Sequence, residues 1–185
     1  RSLPHPQRED PLGRLGLRGA LPWYFWLLAV LSAVLPDADV LGFYAGIAYG
    51  DVWGHRGMTH SLLFACLWSM LLVGVFFQGQ AWRRQRVGLF IVLAVITASH
   101  GLLDAMTNGG LGVAFFAPFD ETRYFLPFRP MAVSPLTLRA FFDTRGLHIL
   151  YTEMLWVGLP SVALLVIGLW RRYRYKMVQP ATPVA

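Results

Sequence analysis

Three short segments of the chain place carboxylate and imidazole side chains beside long apolar runs. They are Leu35-Pro36-Asp37-Ala38-Asp39, Gly54-His55-Arg56-Gly57-Met58-Thr59-His60-Ser61 and His100-Gly101-Leu102-Leu103-Asp104. Carboxylate oxygens and neutral imidazoles are the donor set of zinc, manganese and iron sites. His100 and Asp104 stand four residues apart, so on a helix they share a face and can hold one cation or bridge two. Taken alone, that pair reads equally well as a hydrogen-bonded Asp–His contact between helices. Asp37 and Asp39 follow a proline that breaks a helix, and an isolated D-x-D in that place is more often a solvated helix end. His55 and His60 flank four residues, with Gly54 and Gly57 allowing a tight turn and a close backbone approach to a ligand. Thr59 and Ser61 read as caps of the following helix rather than as nucleophiles, and no Ser/His/Asp triad is drawn. The candidate metal ligands are therefore Asp37, Asp39, His55, His60, His100 and Asp104.

Other residues carry weaker signals. Arg56 and Arg123 are candidate substrate clamps for phosphate or carboxylate, although surface arginines are commoner than anion clamps. Glu153 is a candidate general base, with a ligand role or a partnership with Arg145 or His148 as its other readings. Asp51 and Asp120 have no helical partner at useful spacing and read as solvated loop residues. His5, between two prolines, reads as disordered.

The elements that must position these groups follow from the background. Of 185 residues, 56% are hydrophobic and only 14% charged, with a mean hydropathy of +0.49. That is membrane composition, in which an ionisable group is costly unless paired, hydrated or metal-bound, and so marks function. The net charge of +6 sits in short basic runs flanking apolar segments, which orients membrane helices and argues against nucleic acid. The single cysteine, Cys66, lies within an apolar run, so no disulfide framework exists within one chain and a buried, inert thiol is expected.

Four apolar stretches predict an all-α, multi-pass membrane bundle of about four helices. They run Leu21–Leu35, about Thr59–Phe77, Val87–Met106 and Ile149–Trp170, the last with a kink expected at Pro160. A long loop, Thr107–Leu147, joins the third and fourth, and its Leu111–Ala117 run is too short to span and is expected to re-enter the membrane or pack on top. No internal repeat or Gly/Ser linker divides the chain, so residues 1–185 read as one domain with a polar segment at 1–20 and a flexible tail at 177–185. Arg83-Arg84-Gln85-Arg86 and the basic run from Arg171 to Lys176 place both termini in the cytoplasm; Arg123, Arg129, Arg139 and Arg145 in the long loop pull the other way. Spans drawn from hydropathy alone then put all six candidate ligands at one face, the extracytoplasmic one.

The chain resembles the YdjM-like membrane-bound metal-dependent hydrolases. The resemblance rests on Leu35–Asp39, on Gly54–Leu62, whose G-H-R-G-x-T-H-S string is specific, and on Ser99–Thr107, with Pro118–Pro127 similar to one branch; it extends from about Pro22 to Pro160. Family members carry a Thr-His or Gly-His pair on an N-terminal helix, and His5 in Leu3-Pro4-His5-Pro6 does not match it. The family is similar in turn to zinc-dependent phospholipase C and the single-strand-specific zinc nucleases, from which only the metal-holding roles of His100 and Asp104 carry over. The resemblance implies a bacterial inner-membrane hydrolase, zinc-dependent first and manganese-dependent second, using metal-activated water on a phosphoester that is lipid-like or lipid-linked. Two other classes stand beside it: a non-catalytic membrane protein with a structural metal site or ion pathway, and a partner-binding scaffold. Acidic groups at one end of the spans, rather than deep within them, favour the enzyme.

Overall fold

A computed structural model describes residues 21–134 and 144–178. The described chain separates into two compact units. The first takes residues up to Met106 together with Gly110–Pro127, and the second takes Thr107–Gly109 and the chain from Phe128 onward. Among the described residues the regular structure is all helical, with only isolated bridges, Val113 to Tyr124 and Thr107 to Met131.

In the first unit, α1 (Trp23–Val34) tightens into a 3-10 segment, Leu35–Ala45, which ends where Gly46 turns left-handed at φ 78°. A 3-10 turn at Met58–His60 leads into α2 (Leu62–Phe76), and α3 (Arg86–Ala105) returns antiparallel to it. The α1 and α2 helices both pack on α3. Their core is Phe25 and Leu28 of α1, Leu72 and Val73 of α2, Phe77, and Leu89 and Leu93 of α3. Ser61 caps α2, accepting the Phe64 N–H at 3.0 Å, which satisfies one of the donors a helix start leaves open.

Among the described residues, three helices are long and apolar enough to cross a membrane: Trp23–Ala45, Arg86–Ala105 and Gly146–Arg171; Leu62–Phe76 is apolar but shorter. The expectation for Cys66 is corrected: its side chain is exposed. Helix α2 is apolar on every side, as lipid-contacting helices are, so hydropathy could not tell its inner face from its outer one.

The Leu111–Ala117 run packs on the first unit. Val113 and Tyr124 exchange backbone hydrogen bonds at 2.9 Å, Ala114 N–H donates to the Arg56 carbonyl at 3.0 Å, and Leu62 N–H donates to the Phe115 carbonyl at 3.0 Å.

The second unit contains α4 (Thr144–Glu153), a π turn at Met154–Gly158 and α5 (Leu159–Val178). The disturbance expected at Pro160 takes the form of this π turn, which contains the Trp156 carbonyl that a proline four residues later leaves without a donor. Thr152 ties the unit together, donating to the Ile149 carbonyl and accepting the Ala132 N–H.

Candidate metal centre

The end of α1, the turn before α2 and the end of α3 meet at one end of the first unit, and the three motif segments meet there with them. Two groups of potential ligands form, Asp37, His60, His100 and Asp104 in one, Asp39, His55 and His60 in the other, with candidate donor atoms in each group within 4.8 Å of one another. His60 belongs to both. Its ring is wholly buried and presents Nε2 to the first group and Nδ1 to the second.

In the first group, His60 Nε2 lies 3.1 Å from Asp104 Oδ2 and 3.6 Å from Asp37 Oδ1. His100 Nε2 lies 3.2 Å from Asp37 Oδ1 and 3.8 Å from Asp104 Oδ2. Ligand atoms at tetrahedral zinc, with bonds of about 2.0–2.2 Å, are separated by about 3.3–3.6 Å, so these four spacings bracket the value a cation would impose. Both imidazole Nε2 atoms are buried and make no hydrogen bond.

The orientation of each ring has an identifiable cause. His100 Nδ1 is 2.8 Å from the Ala33 carbonyl and must donate to it, which leaves Nε2 with a lone pair. That carbonyl is available because of Pro36: in 3-10 register the donor to residue 33 is residue 36, and proline has no N–H. His60 Nδ1 is 3.0 Å from Thr59 Oγ1, and Thr59 donates onward to Asp39 Oδ2 at 2.7 Å. The proton assignment that satisfies this chain puts a hydrogen on Nδ1 and a lone pair on Nε2.

Asp39 is occupied on both oxygens. Oδ1 accepts from His55 Nδ1 at 2.7 Å, and Oδ2 accepts from the Arg56 backbone N–H at 3.1 Å as well as from Thr59. Asp104 divides its oxygens differently, Oδ1 taking Arg56 Nη2 at 3.1 Å while Oδ2 faces the histidines. The carboxylates of Asp104, Asp37 and Asp39 all lie within 3.6 Å of the His60 ring nitrogens, so the position favours a positive charge.

Arg56 sits at φ 62°, left-handed for a residue with a side chain, and is buried. Such strain persists only where surroundings over-determine it. Here the backbone N–H is held by Asp39, the carbonyl by Ala114 and the guanidinium by Asp104. Arg123 is half-buried and its guanidinium donates to the carbonyls of His55 at 2.9 Å and Asp51 at 3.0 Å, so it binds the loop that carries His55. Asp51 and Asp120 are exposed, each accepting a hydrogen bond from a backbone N–H two residues later. Glu153 lies in the second unit at the junction of α4 and the π turn. His5 and residues 1–20 lie outside the described residues, as do Arg139 and the tail from 179.

Several functional contacts carried no signal as motifs. Thr59 caps nothing and serves the Asp39–His60 link instead. Tyr49 stacks on Phe43 and meets the His55 ring edge-on at 5.2 Å. Gly101 sits where a Cβ would lie 2.9 Å from the His60 carbonyl oxygen, so its lack of a side chain lets α3 approach the His60 turn. Gly54 and Gly57 admit close approach as expected, but of backbone to backbone: a Cβ on them would collide with the carbonyls of Ala48 and Val52.

The sequence model of the YdjM inner membrane protein family matches residues 7–177. The chain belongs to that family. A relative with the same kind of name, inner membrane protein YbcI of Escherichia coli (strain K12), is 41% identical over 144 residues, 77% of this chain and 82% of that protein. No solved structure matches. As a YdjM-family protein of the inner membrane, the chain contains all three motif segments and all three candidate spans within the matched region.

Proposed function

We propose that this YdjM-family protein is a membrane metal-dependent hydrolase whose divalent cation, zinc before manganese, is held by Asp37, His60, His100 and Asp104. The observation that carries the reading is the pair of buried, unbonded imidazole nitrogens, His60 Nε2 and His100 Nε2, aimed at carboxylate oxygens 3.1 and 3.2 Å away. A carboxylate and an imidazole lone pair do not attract each other; a cation between them turns the arrangement into a ligand set.

The remaining residues hold that set in place. The Ala33 carbonyl orients His100, Thr59 and Asp39 orient His60, and Arg56 fixes Asp104 so that its Oδ2 turns inward. His55 steadies Asp39 and through it the whole turn. A divalent cation held there supplies Lewis acidity toward an ester and lowers the pKa of water toward neutrality. Asp37 supports catalysis over a closed structural site, because its side chain is 54% exposed while that of His60 is 0% exposed, and catalytic sites keep an open position where structural sites do not. We assign the substrate class as a phosphoester, lipid-like or lipid-linked, with the site at the extracytoplasmic face and both termini in the cytoplasm. Glu153, in the other unit, stays a candidate general base from the sequence alone, and Arg56 and Arg123 act on the substrate only through the groups they position.

The test is elemental analysis of the detergent-purified protein beside folded His100→Ala and Asp104→Ala variants. Stoichiometric zinc or manganese lost in both variants supports the reading and leads to a phosphoester screen. Absence of bound metal after reconstitution overturns it.

A further inference from the structure

The four residues of the proposed centre are unequally covered. Three are enclosed, and Asp37 alone is more than half exposed. Its surroundings on that exposed side are apolar. Leu27, Val30, Leu31 and Val34 are all exposed on α1, and their spacing of three and four residues makes one stripe along the helix. The chain then reaches Asp37, and beyond it Leu41 is exposed as well. The carboxylate therefore interrupts a stripe that a membrane helix turns toward lipid. Asp37 also marks the seam between α1 and α3, where His100 reaches across to the Ala33 carbonyl and to Asp37 itself.

Helix lengths place this opening along the membrane normal. The 15 residues of α2 rise about 22 Å at 1.5 Å each, and the centre begins at the residues just before them. From Trp23, the 12 residues of α1 and three of the 3-10 segment rise about 24 Å to Asp37. A hydrocarbon core is about 30 Å thick. With the basic turn Arg83–Arg86 at one face, Asp37 falls short of the other by several ångströms, within the leaflet rather than above it.

An ionised side chain at that depth is costly unless a polar partner meets it. The α1 stripe provides apolar contact and the centre provides polar contact, which together match an amphiphile. We propose that the centre opens sideways into the bilayer at Asp37, between α1 and α3, so that it is reached by the polar head of a membrane lipid whose acyl chains lie along Leu27, Val30, Leu31 and Val34. The identity of the head as a hydrolysable phosphoester rests on the function proposed above; the direction of the opening does not.

Accessibility to two paramagnetic probes tests the opening without any use of activity. In a Cys66→Ser background, single cysteines at Val34 and Leu41, the residues flanking Asp37, carry nitroxide labels in phospholipid vesicles, with Asp51 in the exposed loop as the aqueous reference. Collisions with oxygen, which partitions into lipid, are expected to exceed those with a water-soluble nickel chelate at both flanking positions and to fall below them at Asp51. An excess of chelate collisions at either flanking position overturns the proposal. Should a flanking variant fail to fold, the exposed neighbours Leu31 and Ala38 give the same reading. A protein that shows the lipid-facing pattern but binds no metal would retain the opening and lose the hydrolase reading, so the two failures are told apart.

Discussion

His60 and Asp104 face each other at 3.1 Å, Nε2 to Oδ2, with the imidazole wholly buried and the carboxylate anchored to Arg56 through its other oxygen. They come from the turn before α2 and the last turn of α3, so neither element presents the pair alone. Replacing His60 by Ala is expected to abolish metal binding, whereas Asp39→Asn, which disturbs the contacts that orient His60, His55 and the Arg56 backbone, should weaken it about 10- to 100-fold. Chelator-competition titration separates the two; equal losses would mean that Asp39 ligates directly.

Gly101 and Gly74 offer a paired test. A Cβ at Gly101 would meet the His60 carbonyl oxygen at 2.9 Å, whereas one at Gly74 meets nothing within 4 Å. Gly74→Ala should stabilise the protein by up to about 1 kcal/mol through helix propensity. Gly101→Ala should destabilise it and weaken metal binding. Thermal melts of both variants in detergent would refute the close-packing account if they shifted alike.

Arg56 holds Asp104 by a guanidinium whose side chain is 4% exposed. Removing one member of a buried ion pair costs about 3–5 kcal/mol, because the other is left uncompensated. Arg56→Ala should approach that loss in denaturant unfolding. Arg56→Gly relieves the left-handed backbone at φ 62° and should be the less damaging truncation; the reverse order would place the strain elsewhere.

Much of this architecture is legible in the residues. Hydropathy alone locates the helices to within a few residues, except that the first span continues through the 3-10 segment to Ala45, because Pro36 alters the pitch without stopping the chain. The pairing of His100 with Asp104 is legible because both lie on one helix. The division of the six candidate residues into two groups is not, since it depends on how separate elements approach each other. Asp39 and Asp37 look alike in sequence, yet one is enclosed by four donors and acceptors and the other faces outward. The Ala33 carbonyl carries no residue-type signal at all, and Cys66 could not be placed on a helix that is apolar all round.

The position of Pro36 also bears on how the protein is made. Asp37 and Asp39 leave the ribosome at the end of the first membrane segment, while the groups that meet them, His55, His60 and finally His100, follow later in the chain. Until α3 has entered the membrane, the Ala33 carbonyl that Pro36 strips of its helical donor has no imidazole to receive, and Asp37 has no second imidazole beside it. The first helix is apolar enough to enter the membrane alone, but its polar end is completed only when the third arrives. Biogenesis of this protein therefore joins its first and third helices at that end after insertion rather than before it.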